Sequence, residues 1–106
     1  METTVPRINL GSVKQNNTYK LKNDVRNFFS NKGWYDMYNY SFVSNTLMEK
    51  LNLDINDCVE LKNSLSEDAT HMRNSLIPNL MLSLEKNIKD FSNLQLFEFE
   101  KAFIKD

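Results

Sequence analysis

One stretch, "VELKNSLSEDATHMRNSLIPNL" over residues 59–80, holds the side chains best suited to chemistry. It contains Ser64, Ser66, Thr70 and Ser75, the neighbouring carboxylates Glu67 and Asp68, His71 and Arg73. A hydroxyl, an imidazole and a carboxylate are the parts of a nucleophile, its base and the group that orients it. The same side chains also suit a polar turn that leads into a helix and caps it. His71 is the only histidine, and sequence adjacency alone places neither Ser66 nor Ser75 in its reach. It reads as a partly exposed loop residue. Glu67 and Asp68 read as turn carboxylates that meet water or backbone N–H groups. Ser75 precedes an apolar-periodic run and reads as a helix N-cap.

Outside this stretch the chemical signals are few. Cys58 is the single cysteine, leads a hydrophobic strand, and is expected to be buried rather than reactive. One cysteine excludes an internal disulfide and a cysteine zinc site, which fits a reducing cytoplasm. Only Gly11 and Gly33 are present, so no glycine-rich loop can cradle a phosphate. The residues alone predict a globular module without a visible active site.

The elements that position these residues follow from periodicity. Residues 1–17 show no sustained period and read as a linker from something upstream. Thr18 or Asn17 is expected to cap a helix over about 19–32, with Leu21, Val25, Phe28 and Phe29 on one face. Gly33 suits the left-handed residue after a helix. In "WYDMYNYSFV" the alternation of Tyr38, Tyr40 and Phe42 predicts an aromatic strand. Ser44 or Asn45 caps a short helix, and "CVEL" forms a strand with Val59 and Leu61 on one face. Ile77, Met81, Leu84 and Ile88 predict the core face of a second helix, with Pro78 in its first turn. In "LQLFEFEKAFIKD", Phe97, Phe99 and Phe103 share a parity against Glu98 and Glu100, the mark of a final strand. This order predicts an α+β fold with an antiparallel or mixed sheet, its last strand cut short as in a fragment of a larger domain.

Composition bounds the partners. The 106 residues suit one domain, residues 18–106, and 41% of them are hydrophobic, enough for a core. Thirteen basic residues stand against fourteen acidic ones, so no basic surface invites nucleic acid directly. No apolar run approaches the roughly 18 residues of a membrane span. The N-terminus does not read as a signal peptide, and a cytoplasmic protein is expected.

The order and spacing of three motifs carry a resemblance. "LKNDVRNFFSNKGWYDMYNYSFVS", "VELKNSLSEDATHMRNSLIPNLMLSLEKN" and "LQLFEFEKAF" resemble the catalytic-like core of the phenylalanyl-tRNA synthetase beta subunit family over roughly residues 20–103. "TVPRINLG" resembles the linker that enters that core. Ser64, Asn74, Asn79 and Glu100 depart from the family's usual proline, threonine, glycine and glycine.

The resemblance implies a class II synthetase-like sheet flanked by helices, of which this chain holds the first part. It implies that Arg73 tethers the loop and Ser75 caps the helix, so that the stretch 59–80 is architectural. Val25, Phe28 and Phe29 would pack in an interface with the alpha subunit of an (alpha–beta)2 heterotetramer. The holoenzyme would attach phenylalanine to tRNA(Phe) with ATP and Mg²⁺, the tRNA meeting other domains, and this chain would hold no cofactor of its own. Ile104 stands where the related alpha subunit places an arginine that stabilises the α-phosphate of ATP. Two rival readings are an active adenylate-forming enzyme of the class II kind and an unrelated α+β interaction module.

Overall fold

A computed structural model describes residues 3–64 and 66–106. The first two residues of the expected linker and Leu65 of the polar stretch lie outside the described residues. Residues 3–16 form no helix or strand and are exposed.

Helix α1 spans Asn17–Asn31. Its cap is Asn16, one residue before Asn17 and two before Thr18, the expected candidates, with the Asn16 side chain accepting the Thr18 N–H at 2.9 Å. The helix ends at Gly33, whose φ of +86° costs a residue without Cβ nothing. Gly33 N–H donates to the Ser30 carbonyl and Trp34 N–H to the Phe29 carbonyl, each at 3.1 Å. The Phe29 and Trp34 rings meet across that turn with centroids 5.3 Å apart. Paired reverse bonds with an apolar clasp are how a Schellman end satisfies the last carbonyls.

The expected aromatic strand is broken in two. Strand β1 is Tyr35–Asp36 and β2 is Phe42–Val43, with residues 37–41 irregular between them. Tyr38 and Tyr40 are exposed. Ser44 caps α2, Asn45–Lys50, by accepting the Leu47 N–H at 3.1 Å. Asn52, at φ +57°, turns the chain out of that helix. A 3-10 turn at Ile55–Asp57 leads to β3, Val59–Glu60.

The next strand is a correction to the sequence reading. Residues His71–Met72, expected in a loop, form β4, the centre of an antiparallel sheet ordered β2-β4-β3. Val43 and Glu60 lie opposite His71 on its two sides, and Phe42 and Val59 lie opposite Met72. Two residues are too few for a period of two to declare itself. Backbone bonds continue past the strand, from Leu61 N–H to the Thr70 carbonyl and from Arg73 N–H to the Ser41 carbonyl.

Helix α3 spans Ile77–Asn87, and β5, Leu96–Phe97, pairs parallel with β1. The architecture is therefore α+β with one antiparallel and one parallel sheet. Val43, Met48 and Cys58 form the buried apolar cluster, with Ile55 packed on it. Phe97 is also buried and stacks on Phe29 at 5.0 Å.

Two burial patterns differ from the expected ones. The α3 stripe read as core is largely exposed, Ile77 at 59% and Ile88 at 56%, with Met81 exposed as well. Pro78, Asn79 and Ser83 are the residues buried on that helix. In the final segment Phe97 lies inside as expected, but the Glu98 side chain is fully buried too, at 0% exposure. Both differences trace to one region: carbonyls that draw donors from α3 and from Arg73, and Arg73 in turn draws the Glu98 carboxylate inward.

Candidate functional site

Ladder bonds reach only the ends of the irregular segment 37–41, at the Met37 N–H and the Ser41 carbonyl, and carbonyls buried between them without partners would be costly. Arg73, placed just after β4 and 2% exposed, supplies donors. Its Nη1 donates to the Asn39 carbonyl at 3.3 Å and the Tyr40 carbonyl at 3.2 Å. Its Nε donates to the Lys101 carbonyl at 2.8 Å. One planar guanidinium thus ties three chain segments, which its fixed fork of donors suits.

A buried cation needs a counter-charge. Glu98 Oε2 lies 3.8 Å from Arg73 Nη1 and accepts the Asn39 N–H at 2.8 Å. Its other oxygen accepts Asn39 Nδ2 at 3.3 Å. From α3, Ser83 Oγ donates to Asn39 Oδ1 at 2.8 Å, and Asn79 Nδ2 donates to the Tyr40 and Phe42 carbonyls at 3.0 Å. Asn87 Nδ2 then bonds the Ser83 carbonyl at 2.7 Å. Asn79, Ser83 and Asn87 recur every four residues, so one helix face carries them all. That face turns inward because the carbonyls are there.

A second charged cluster fixes α1. Lys22 and Arg26 both bond Glu100, Arg26 at 3.1 Å, and Arg26 Nε lies 3.2 Å from Asp36 Oδ2. No hydrogen bond is aligned on that Nε, so the Asp36 contact is one of charge alone. The Tyr38 ring lies under the Arg26 guanidinium at 4.8 Å. The Lys22 hydrogen bond, with the charges of Lys22 and Arg26 outweighing burial, holds the Glu100 carboxyl below its ordinary range. Glu100 is thus an anchor for α1.

The remaining candidates are dispersed. His71 is half-buried in the central strand, with Nδ1 2.8 Å from Thr70 Oγ1. Glu67 and Asp68 are exposed, and the Ser66 carbonyl accepts the Ala69 N–H in the turn. Ser75 Oγ accepts the Ile77 N–H at 3.2 Å, but Leu76 is the flanking residue of α3 and no side chain caps it there. Cys58 is buried, and that burial pushes its thiol pKa up. Val25 and Phe29 are half-buried, and Phe28 is exposed beneath the Lys32 ammonium. Ile104 is exposed, and Lys105 Nζ donates to the Asn56 carbonyl at 2.9 Å.

A cavity of about 580 Å³ brings Ser66 and Asp68 against Tyr40, Phe42, Asn79 and Lys86. His71 does not line it. The structure therefore keeps the imidazole out of the cavity that holds Ser66 and Asp68, and its hydroxyl neighbour is Thr70 instead. Among the described residues there is no group of three or more His, Cys, Asp or Glu side chains that could hold a metal, and no helix is long and apolar enough to cross a membrane.

Sequence reasoning passed over Asn39, Glu98, Asn79 and Ser83. The one available signal was the polar four-residue spacing on α3, which is quieter than the apolar stripe beside it.

Comparison with known proteins adds a family. The family model described as "Phenylalanyl tRNA synthetase beta chain CLM domain" matches residues 1–106. The chain is 32% identical over 97% of its length to the phenylalanine–tRNA ligase beta subunit of Fusobacterium nucleatum, covering 13% of that protein. It is 34% identical over 84% of its length to that of Leptospira borgpetersenii, and 31% over 78% to that of Solibacter usitatus, covering 11% of each. The chain thus spans little more than a tenth of these relatives.

Proposed function

The chain belongs to the phenylalanyl-tRNA synthetase beta chain family, and from that premise we propose that it serves as a non-catalytic module of a phenylalanine–tRNA ligase. The enzyme it would serve joins phenylalanine to tRNA(Phe) in the cytoplasm with ATP and Mg²⁺. On this reading the fold is the first part of a class II synthetase-like core, and residues before α1 are a linker.

The observation that carries the proposal is the use made of Arg73. Its donors face backbone carbonyls and Glu98 rather than a cavity. A cation held in this way organises the chain and is not free to meet a developing negative charge. Ile104, at the position that the resemblance assigns to an activating arginine, has no charge to offer. ATP and the metal are assigned to the alpha subunit in this account. The exposed Phe28 beside Val25 and Phe29 supports a contact with that subunit, two copies of each making the heterotetramer.

His71→Ala and Ser66→Ala in the complete ligase are expected to leave aminoacylation within about tenfold of the parent, about 1.4 kcal/mol of barrier. A larger loss in steady-state charging of tRNA(Phe) with the protein folded would overturn the scaffold reading.

A further inference from the structure

Among the described residues, the aliphatic side chains with the least cover lie on the N-terminal arm. Val5, Ile8, Leu10 and Val13 are 76 to 94% exposed, and the molecule measures 60 Å in its longest dimension. The radius of gyration is 19.3 Å, against about 13 Å for a compact domain of this size. Arg7 and Lys14 are the only charged side chains in residues 3–16. In an extended chain Ile8 and Leu10 share one face, with Arg7 and Asn9 on the other. The arm is thus an apolar strip with basic flanks.

A groove of matching character lies on the body. A recess of about 310 Å³ is lined by Met48, Leu53, Ile77 and Pro78, and by the carboxylates Asp54 and Asp57. Leu53 and Ile77 leave much of their apolar surface uncovered. One Asp54 oxygen accepts the Asn56 N–H, while Asp57 is exposed. Lys105 approaches the same turn but is bonded to the Asn56 carbonyl.

We propose that residues 7–14 of one copy dock into the Leu53/Ile77 groove of a second copy, with Arg7 meeting Asp57. The charge match favours this occupant: the docking segment has cations and no carboxylate, and the groove has two carboxylates around an apolar floor. The chain's own body leaves the arm uncovered, so the second copy is the occupant and not the same molecule. Two identical contacts related by a two-fold axis close the assembly. This inference is independent of the ligase reading.

Charge reversal tests it on the full chain. Arg7→Glu lies in a segment without helix or strand, and Asp57→Lys on an exposed position, so neither threatens the fold. Circular dichroism verifies that both variants keep the parent's helix content. Sedimentation velocity across a concentration series should show the parent associating. Each variant alone should associate about tenfold or more weakly, a loss of about 1.4 kcal/mol. An equimolar mixture of the two should recover. In the mixed pair the introduced carboxylate of one copy meets the introduced ammonium of the other, and the parental Arg7–Asp57 contact survives at the second groove. A parent that stays monomeric, as it would if the arm folded back on its own body, overturns the proposal. So does an unaltered association in either variant, or a mixture no better than its components.

Discussion

Helices α2 and α3 lie in one small molecule and obey opposite rules. In α2 the apolar residues Leu47 and Met48 are buried, the cap is a serine, and the rest faces out. In α3 the buried residues include Asn79 and Ser83, while Ile77, Met81 and Ile88 look outward. The difference lies in what each helix meets. Helix α2 packs on Val43 and Cys58, whose side chains ask only for apolar contact. Helix α3 meets residues 39–42, the end of the irregular segment and the first residue of β2, whose carbonyls ask for donors. A helix is oriented by the needs of its neighbour as well as by its own stripe.

If that is right, the polar hub should hold the fold as firmly as the apolar cluster does. Arg73→Met removes the counter-charge of Glu98 and takes their donor from the Asn39 and Lys101 carbonyls. A loss of about 3–5 kcal/mol is expected in urea unfolding, the cost of an uncompensated buried charge. Met48→Ala in the apolar cluster should lose about 2–5 kcal/mol. An Arg73→Met protein as stable as the parent would show the hub to be ornamental.

The helix starts sharpen the same contrast. Ser44→Ala should cost about 1 kcal/mol, since its hydroxyl caps α2. Ser75→Ala should cost less, because its bond to the Ile77 N–H lies outside a formed cap. Equal losses in thermal unfolding would erase the distinction.

The smallest expected effect belongs to the second cluster. The Glu100 carboxyl has a folded pKa below its unfolded value, so the stability it contributes is present above the unfolded value, about 4.3. It is lost as pH falls through the lower folded value. Glu100→Gln should flatten part of the acid decline in stability below about pH 4.3 and should not alter its shape near neutrality. A decline identical in both proteins would remove Glu100 from the account.

Much of this was legible in the residues, and the exceptions share a reason. The α1 helix, its glycine end, the Ser44 cap and the buried Cys58 each follow from local rules that need only neighbours in sequence. The burial of Glu98 and the inward face of α3 depend on Asn39 and Tyr40, many residues away, and no local period reports them. Strand β4 was missed because two residues between polar turns show no alternation. The apparent catalytic stretch misled by composition: Ser66, His71 and Arg73 are close in sequence, yet they serve a turn, a strand and a hub.

The central claim is that the chemistry-bearing side chains of this chain are structural. Titration calorimetry with ATP and Mg²⁺, on the chain and on Ile104→Arg, tests it most directly. Both proteins are predicted to give no measurable binding heat, because one added cation lacks the positioned partners that give such charges catalytic value. A dissociation constant below about 100 μM for either, about 5.5 kcal/mol of binding, would contradict the account.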